Sequence, residues 1–228
     1  MDDENNSQKA EPYCEKDNTE ENIKTFVGKN SDKILPKFLG MELGASRVSW
    51  CWPAAILSLF FGFFGTAIWF FYRKLYKPAL ICVAIGTLFC AANMIITYDA
   101  TVSLLAQSFD AFKEILLNPE NSILELQSIL EGFETMSQGI NVEGILSDIE
   151  TTLSVVLGGL FALGIYRNHV NNKIEKISMD YSQDVTFKAR LKYSGGVSGG
   201  MAFLGVVIML AITAVIEAIP VIMFFALI

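Results

Sequence analysis

The chain has 228 residues, of which 52% are hydrophobic and 18% charged, with a mean hydropathy of +0.42. That apolar share is above that of ordinary soluble domains, which excludes a large water-soluble catalytic core. The net charge of −7 argues against nucleic acid as a partner. Its distribution is uneven: residues 48–72, 78–98, 151–166 and 193–216 carry no Asp, Glu, Lys or Arg, the pattern of membrane-spanning stretches separated by polar connections.

Residues 1–24 are acidic and nearly free of apolar side chains, so they cannot offset their chain entropy and are expected to be disordered. No apolar run follows a basic start, so no cleavable signal peptide is expected and the first apolar block itself targets the membrane. Residues 25–49 predict a cytoplasmic juxtamembrane segment. There Ile34, Leu35 and Phe38 fall at helical spacing around Pro36, which fits a short interfacial helix or turn.

Residues 50–77 form an aromatic element with all three tryptophans, Trp50, Trp52 and Trp69, and an end marked by Tyr72, Arg73, Lys74 and Tyr76. Two readings stay open. The 23 residues from Trp50 to Tyr72 are long enough to cross a bilayer as one helix. Alternatively, Gly62 and Gly65 bend them into two half-helices that dip in and return, placing Trp50 and Trp52 at the same interface as Trp69 and Tyr72.

Charge favours the second form. Lys and Arg in loops are retained on the cytoplasmic side. Residues 99–150 hold ten acids against Lys113 alone, so they belong outside; residues 167–194, with six basic and three acidic side chains, belong inside. A re-entrant element then keeps sixteen of the seventeen basic residues on one face.

Downstream, residues 78–98 predict a transmembrane helix with Asn93 as its one amide. Residues 99–150 predict an acidic, amphipathic, extracytoplasmic helical hairpin, because Leu105, Phe109, Phe112 and Leu116, then Leu126, Ile129, Leu130 and Phe133, repeat at helical spacing. Residues 151–166 predict a transmembrane helix. With only 16 residues, it borrows length from the amphipathic turn near Ile145 to Ile149. Residues 167–194 predict a basic cytoplasmic loop, and residues 195–228 a transmembrane helix with a kinked end at Pro220. The fold class expected is therefore all-α, a polytopic integral membrane protein with a small extramembrane helical hairpin.

Candidate chemistry is sparse. Cys14, Cys51, Cys82 and Cys90 show neither CxxC spacing nor clustering with the single His169, so no metal site, cofactor or disulfide framework is expected. No Ser/His/Asp set, GxSxG, HExxH or phosphate-cradling loop is present, so no catalytic residues are assigned. Glu217 is the one charge inside a long apolar run, and intramembrane carboxylates default to functional hypotheses; its place at the outer end of the last helix weakens that default. Asn93 can hydrogen-bond between helices. The basic clusters Arg73, Lys74, Lys77 and Lys188, Arg190, Lys192 attract anionic headgroups.

Three runs, TFVGKNSDKILPKF (Thr25 to Phe38), SWCWPAA (Ser49 to Ala55) and WFFYRKLY (Trp69 to Tyr76), resemble a bacterial membrane family named domain of unknown function 2628. The run GLFALGIYRNHVNNKI (Gly159 to Ile174) is similar to the same family's pattern at Tyr166, His169, Lys173 and Ile174. The sequence departs from the pattern at Cys51 and Leu163, where the family commonly has asparagine, and in the glycines and phenylalanines that lengthen the aromatic block. The resemblance covers residues 25–98 and 155–177 and implies a bacterial inner-membrane protein with no established activity. It also favours the re-entrant form, since the family's aromatic segment is typically short for a bilayer.

The functional expectation is a non-enzymatic membrane interaction or scaffold protein. Its partners would be membrane lipids, with other membrane proteins or a second copy of the chain as further partners. The alternatives are a small transporter or channel subunit using Glu217 and Asn93, and a membrane-embedded lipid-modifying enzyme near His169.

Overall fold

The structure is a computed structural model, and it describes residues 20–42, 44, 48–118, 123–124, 126–127, 129–131, 141–180 and 184–227. Expectations for the first nineteen residues, Cys14 among them, and for the connections at 119–122 and 132–140, lie outside the described residues. Every regular element among the described residues is helical. In chain order these are α1 (Glu20–Val27), a 3-10 turn (Gly28–Asn30), α2 (Ser31–Glu42), α3 (Trp52–Tyr72), α4 (Tyr76–Leu117), α5 (Asn141–Asp180), α6 (Asp184–Ser194) and α7 (Gly199–Leu227).

Several boundaries differ from those expected, each for a readable reason. Helix α4 does not stop near Tyr98 but runs 42 residues, about 63 Å. Nothing breaks it, because the apolar periodicity of Leu105, Phe109 and Phe112 continues that of the charge-free stretch until Asn118. Helix α5 likewise runs 40 residues to Asp180, so much of the loop expected over 167–194 is helix. Tyr166, Val170, Ile174 and Ile177 are buried at spacings of four, four and three, one face of a helix. Pro36 and Pro220 both sit inside helices.

The chain divides into two compact units, Met1–Trp50 with Leu163–Val197, and Cys51–Ala162 with Ser198–Ile228. The first, called the basic unit after its 167–194 stretch with six basic side chains against three acidic, is built like a soluble bundle. Ile23, Phe26 and Val27 of α1, Leu35 and Phe38 of α2, and Phe187 and Leu191 of α6 are buried with the α5 stripe. Phe38 meets Tyr166 edge to face, ring centroids 5.8 Å apart. Charges lie outside, where Lys188 Nζ pairs with Glu21 at 2.9 Å and Arg167 with Glu42 at 3.2 Å.

The second unit reverses that arrangement. Leu80, Ile81, Leu88 and Ile95 of α4 and Phe203, Leu210 and Val215 of α7 are exposed, which is stable only in an apolar solvent. Among the described residues, four helical stretches are long and apolar enough to cross a membrane.

Candidate functional site

Of those four stretches, α3 is not a straight rod. Its backbone leaves helical geometry at Phe61 and at Gly62, where φ is +55° and ψ −139°. Ser58 Oγ and Thr66 Oγ1 approach to 2.6 Å, whereas eight residues of straight helix would separate them by about 12 Å. The chain therefore doubles back, and α3 is a helical hairpin with limbs 52–60 and 63–72. Each limb is about 14 Å long, roughly half the ~30 Å of a hydrocarbon core.

Two glycines permit this. Gly62 occupies a left-handed conformation that side chains disfavour. At Gly65 any Cβ would collide with the Leu57 carbonyl of the opposite limb.

Three further contacts hold the hairpin. At one foot the Cys51 amide donates to the Gly159 carbonyl at 2.7 Å, and at the other the Ser198 amide donates to the Tyr72 carbonyl at 2.9 Å. At the tip the Phe63 amide donates to Glu150 Oε1 at 3.5 Å. Phe63 opens the second limb, and its amide is one of the four that a helix start leaves without a partner in its own helix; the carboxylate also complements the positive end of the limb's dipole. Ser154, one turn along α5 from Glu150, is fully buried beside Ser58. The second foot carries Arg73, 6% exposed, with its guanidinium carbon 5.9 Å from the Trp69 ring centroid and 5.6 Å from that of Tyr72.

Beside the tip lies a cavity of about 250 Å³. Phe60, Phe61, Phe64 and Phe89 supply apolar lining; Glu150, Asn93, Ser147 and Thr151 supply the polar groups. Glu150 has no basic partner among the described residues. No group of three His, Cys, Asp or Glu able to hold a metal ion occurs among the described residues either.

The residues singled out by sequence are dispersed. Asn93 lines the cavity, whereas Glu217 is exposed on α7 and does not. Trp52, Trp69, Tyr72, Arg73, Lys74 and Tyr76 belong to the hairpin unit, with Lys74 at a φ of +62° in the turn after the second limb. Trp50, Tyr166, His169 and Lys173 belong to the basic unit. There Trp50 accepts a hydrogen bond from Lys37 Nζ at 3.0 Å, and Tyr166 is fully buried. His169 lies against the Phe26 ring at 6.4 Å. Burial, and then Lys173 one turn on, hold its imidazole pKa below the ordinary value. Lys188 in turn lowers the Glu21 carboxyl by hydrogen bonding and charge.

Sequence reasoning passed over Glu150, because it stands one residue before the charge-free run and reads as the end of an acidic segment. The available signal was length: a run of 16 residues must borrow from its N-terminal side, and the first residue borrowed is Glu150.

The fold defines the class, an all-α polytopic membrane protein with one helical hairpin among its apolar elements. No family model, curated protein or solved structure matches the chain.

Proposed function

We propose that this protein is a non-enzymatic interaction protein of the bacterial inner membrane, anchored by its apolar helices and presenting the cations of α6 to anionic lipid headgroups on the cytoplasmic side. The hairpin is re-entrant in this reading, with both feet at the cytoplasmic interface. The resemblance to domain of unknown function 2628 carries the bacterial assignment.

One observation supports the reading most directly. Helix α6 buries Phe187 and Leu191 while Lys188, Arg190 and Lys192 remain exposed, and α7 begins seven residues after Lys192. The short connection keeps these cations within reach of the headgroups, where each contributes about 1 kcal/mol. Native mass spectrometry of the purified protein tests this. Arg190→Glu with Lys192→Glu is expected to cut phosphatidylglycerol retention at least fivefold, and unchanged retention would overturn the reading.

A second reading, a small transporter or channel subunit, is supported by the carboxylate and amide that share one cavity in the apolar unit, since helices broken at membrane depth are a recurring way to build ion and substrate sites. Flux into proteoliposomes that disappears in Glu150→Gln supports it, whereas absence of flux in the parent removes it.

A further inference from the structure

We propose that the cavity at the hairpin tip binds a small organic cation with an aromatic or apolar body, the ammonium seated at Glu150. The argument begins with charge. Among the described residues, Glu150 is the only charged one lining the cavity, and no basic side chain pairs with it. One weak hydrogen bond from the Phe63 amide at 3.5 Å offsets only part of its desolvation. A carboxylate in an apolar unit without a counter-charge is costly, and a bound cation supplies that charge.

The rest of the lining selects the kind of cation. A bare metal ion requires several oxygen ligands, and here a single carboxylate is present, with no cluster of three acidic or other ligating side chains among the described residues. An inorganic anion is repelled by Glu150, which already occupies the start of the second limb. A neutral apolar molecule would fill the space but leave the carboxylate uncompensated. Phe60, Phe61, Phe64 and Phe89 offer apolar surface and aromatic rings, both of which suit an alkylated or aryl ammonium group. The volume, about 250 Å³, falls just below the range of about 300–1,000 Å³ for drug-sized ligands, so the ligand is a single-ring or similarly small molecule.

Binding at equilibrium is asked of the cavity, with no requirement for transport or for lipid docking. Isothermal titration of the full-length protein in detergent, with benzyltrimethylammonium as the cation and benzyl alcohol as the neutral probe, tests it. The parent is expected to bind the cation saturably, one per chain, and benzyl alcohol at least tenfold more weakly. Glu150→Gln keeps an acceptor for the Phe63 amide, so the hairpin closes, and cation affinity falls at least tenfold. Asn93→Leu leaves the carboxylate in place and is expected to weaken the cation severalfold, which keeps the test decisive if Glu150→Gln does not fold. The Arg190→Glu, Lys192→Glu chain is expected to bind the cation like the parent, separating this site from the headgroup contacts. No saturable binding by the parent, equal affinity for the two probes, or undiminished affinity in Glu150→Gln overturns the proposal.

Discussion

Ser58 with Thr66, and Glu21 with Lys188, are each a short polar contact between two helical segments, at 2.6 and 2.9 Å. The first lies among apolar side chains in the hairpin unit, the second on the open surface of the basic unit. Water competes for the second pair and leaves it little net value. No water competes inside an apolar solvent, where polar groups must find partners within the protein and helix association depends on close packing rather than on hydrophobic burial. The two units therefore divide the same physics in opposite ways: the basic unit is held by a buried apolar stripe, the hairpin unit by tight backbone approach and a few polar contacts.

The sharpest way to break this comparison is to remove core volume from the basic unit. Phe38 is fully buried against Tyr166, so Phe38→Ala is expected to cost about 3–5 kcal/mol, read as a lower denaturant midpoint, while hydrogen exchange of the hairpin amides stays slow. Next comes Gly65→Leu, which places a side chain on the Leu57 carbonyl. A loss of about 2–3 kcal/mol with opening of the hairpin is expected, visible as new distances between spin labels at 56 and 68; unchanged distances would contradict the folded-back geometry.

A double-mutant cycle of Ser58→Ala and Thr66→Val should give a coupling of about 1 kcal/mol, within the range for hydrogen bonds between membrane helices. The smallest effect expected is the pH response of His169. Its folded pKa lies below the ordinary 6.5, so the unfolded chain binds the proton more readily and stability rises with pH. The contribution is complete above about 6.5 and declines as pH falls through that value toward the folded pKa. A thermal midpoint that drops between pH 7.5 and 5.5 by the same amount in His169→Gln as in the parent would remove His169 as the cause.

Charge-free runs made the apolar helices legible from the sequence, because exclusion of Lys, Arg, Asp and Glu is a strong, local signal. The hairpin was legible as one of two alternatives. Gly62 and Gly65 marked where a bend could occur, yet it takes contacts between the limbs, Ser58 with Thr66 and Gly65 with the Leu57 carbonyl, to distinguish a fold-back from a kink. The helical continuation beyond Tyr166 is written in the period of Tyr166, Val170, Ile174 and Ile177, but six basic residues between 167 and 194 give the same stretch the composition of a loop. Glu150 and Asn93 could not be paired from sequence, because they stand on different helices and nothing local links them.

Helix α5 carries Glu150, Ser154, Gly158, Ala162, Tyr166, Val170 and Ile174, each four positions from the last. Within the hairpin unit, Glu150 receives the Phe63 amide and Ser154 reaches the Ser58 carbonyl, so two neighbouring steps of that row both face α3. Adding a single residue between them would swing Ser154 by about 100° around the helix axis, away from Ser58. The number of residues between Glu150 and Ser154 is thus fixed by rotation, and this short interval should tolerate side-chain exchange far better than a change in length.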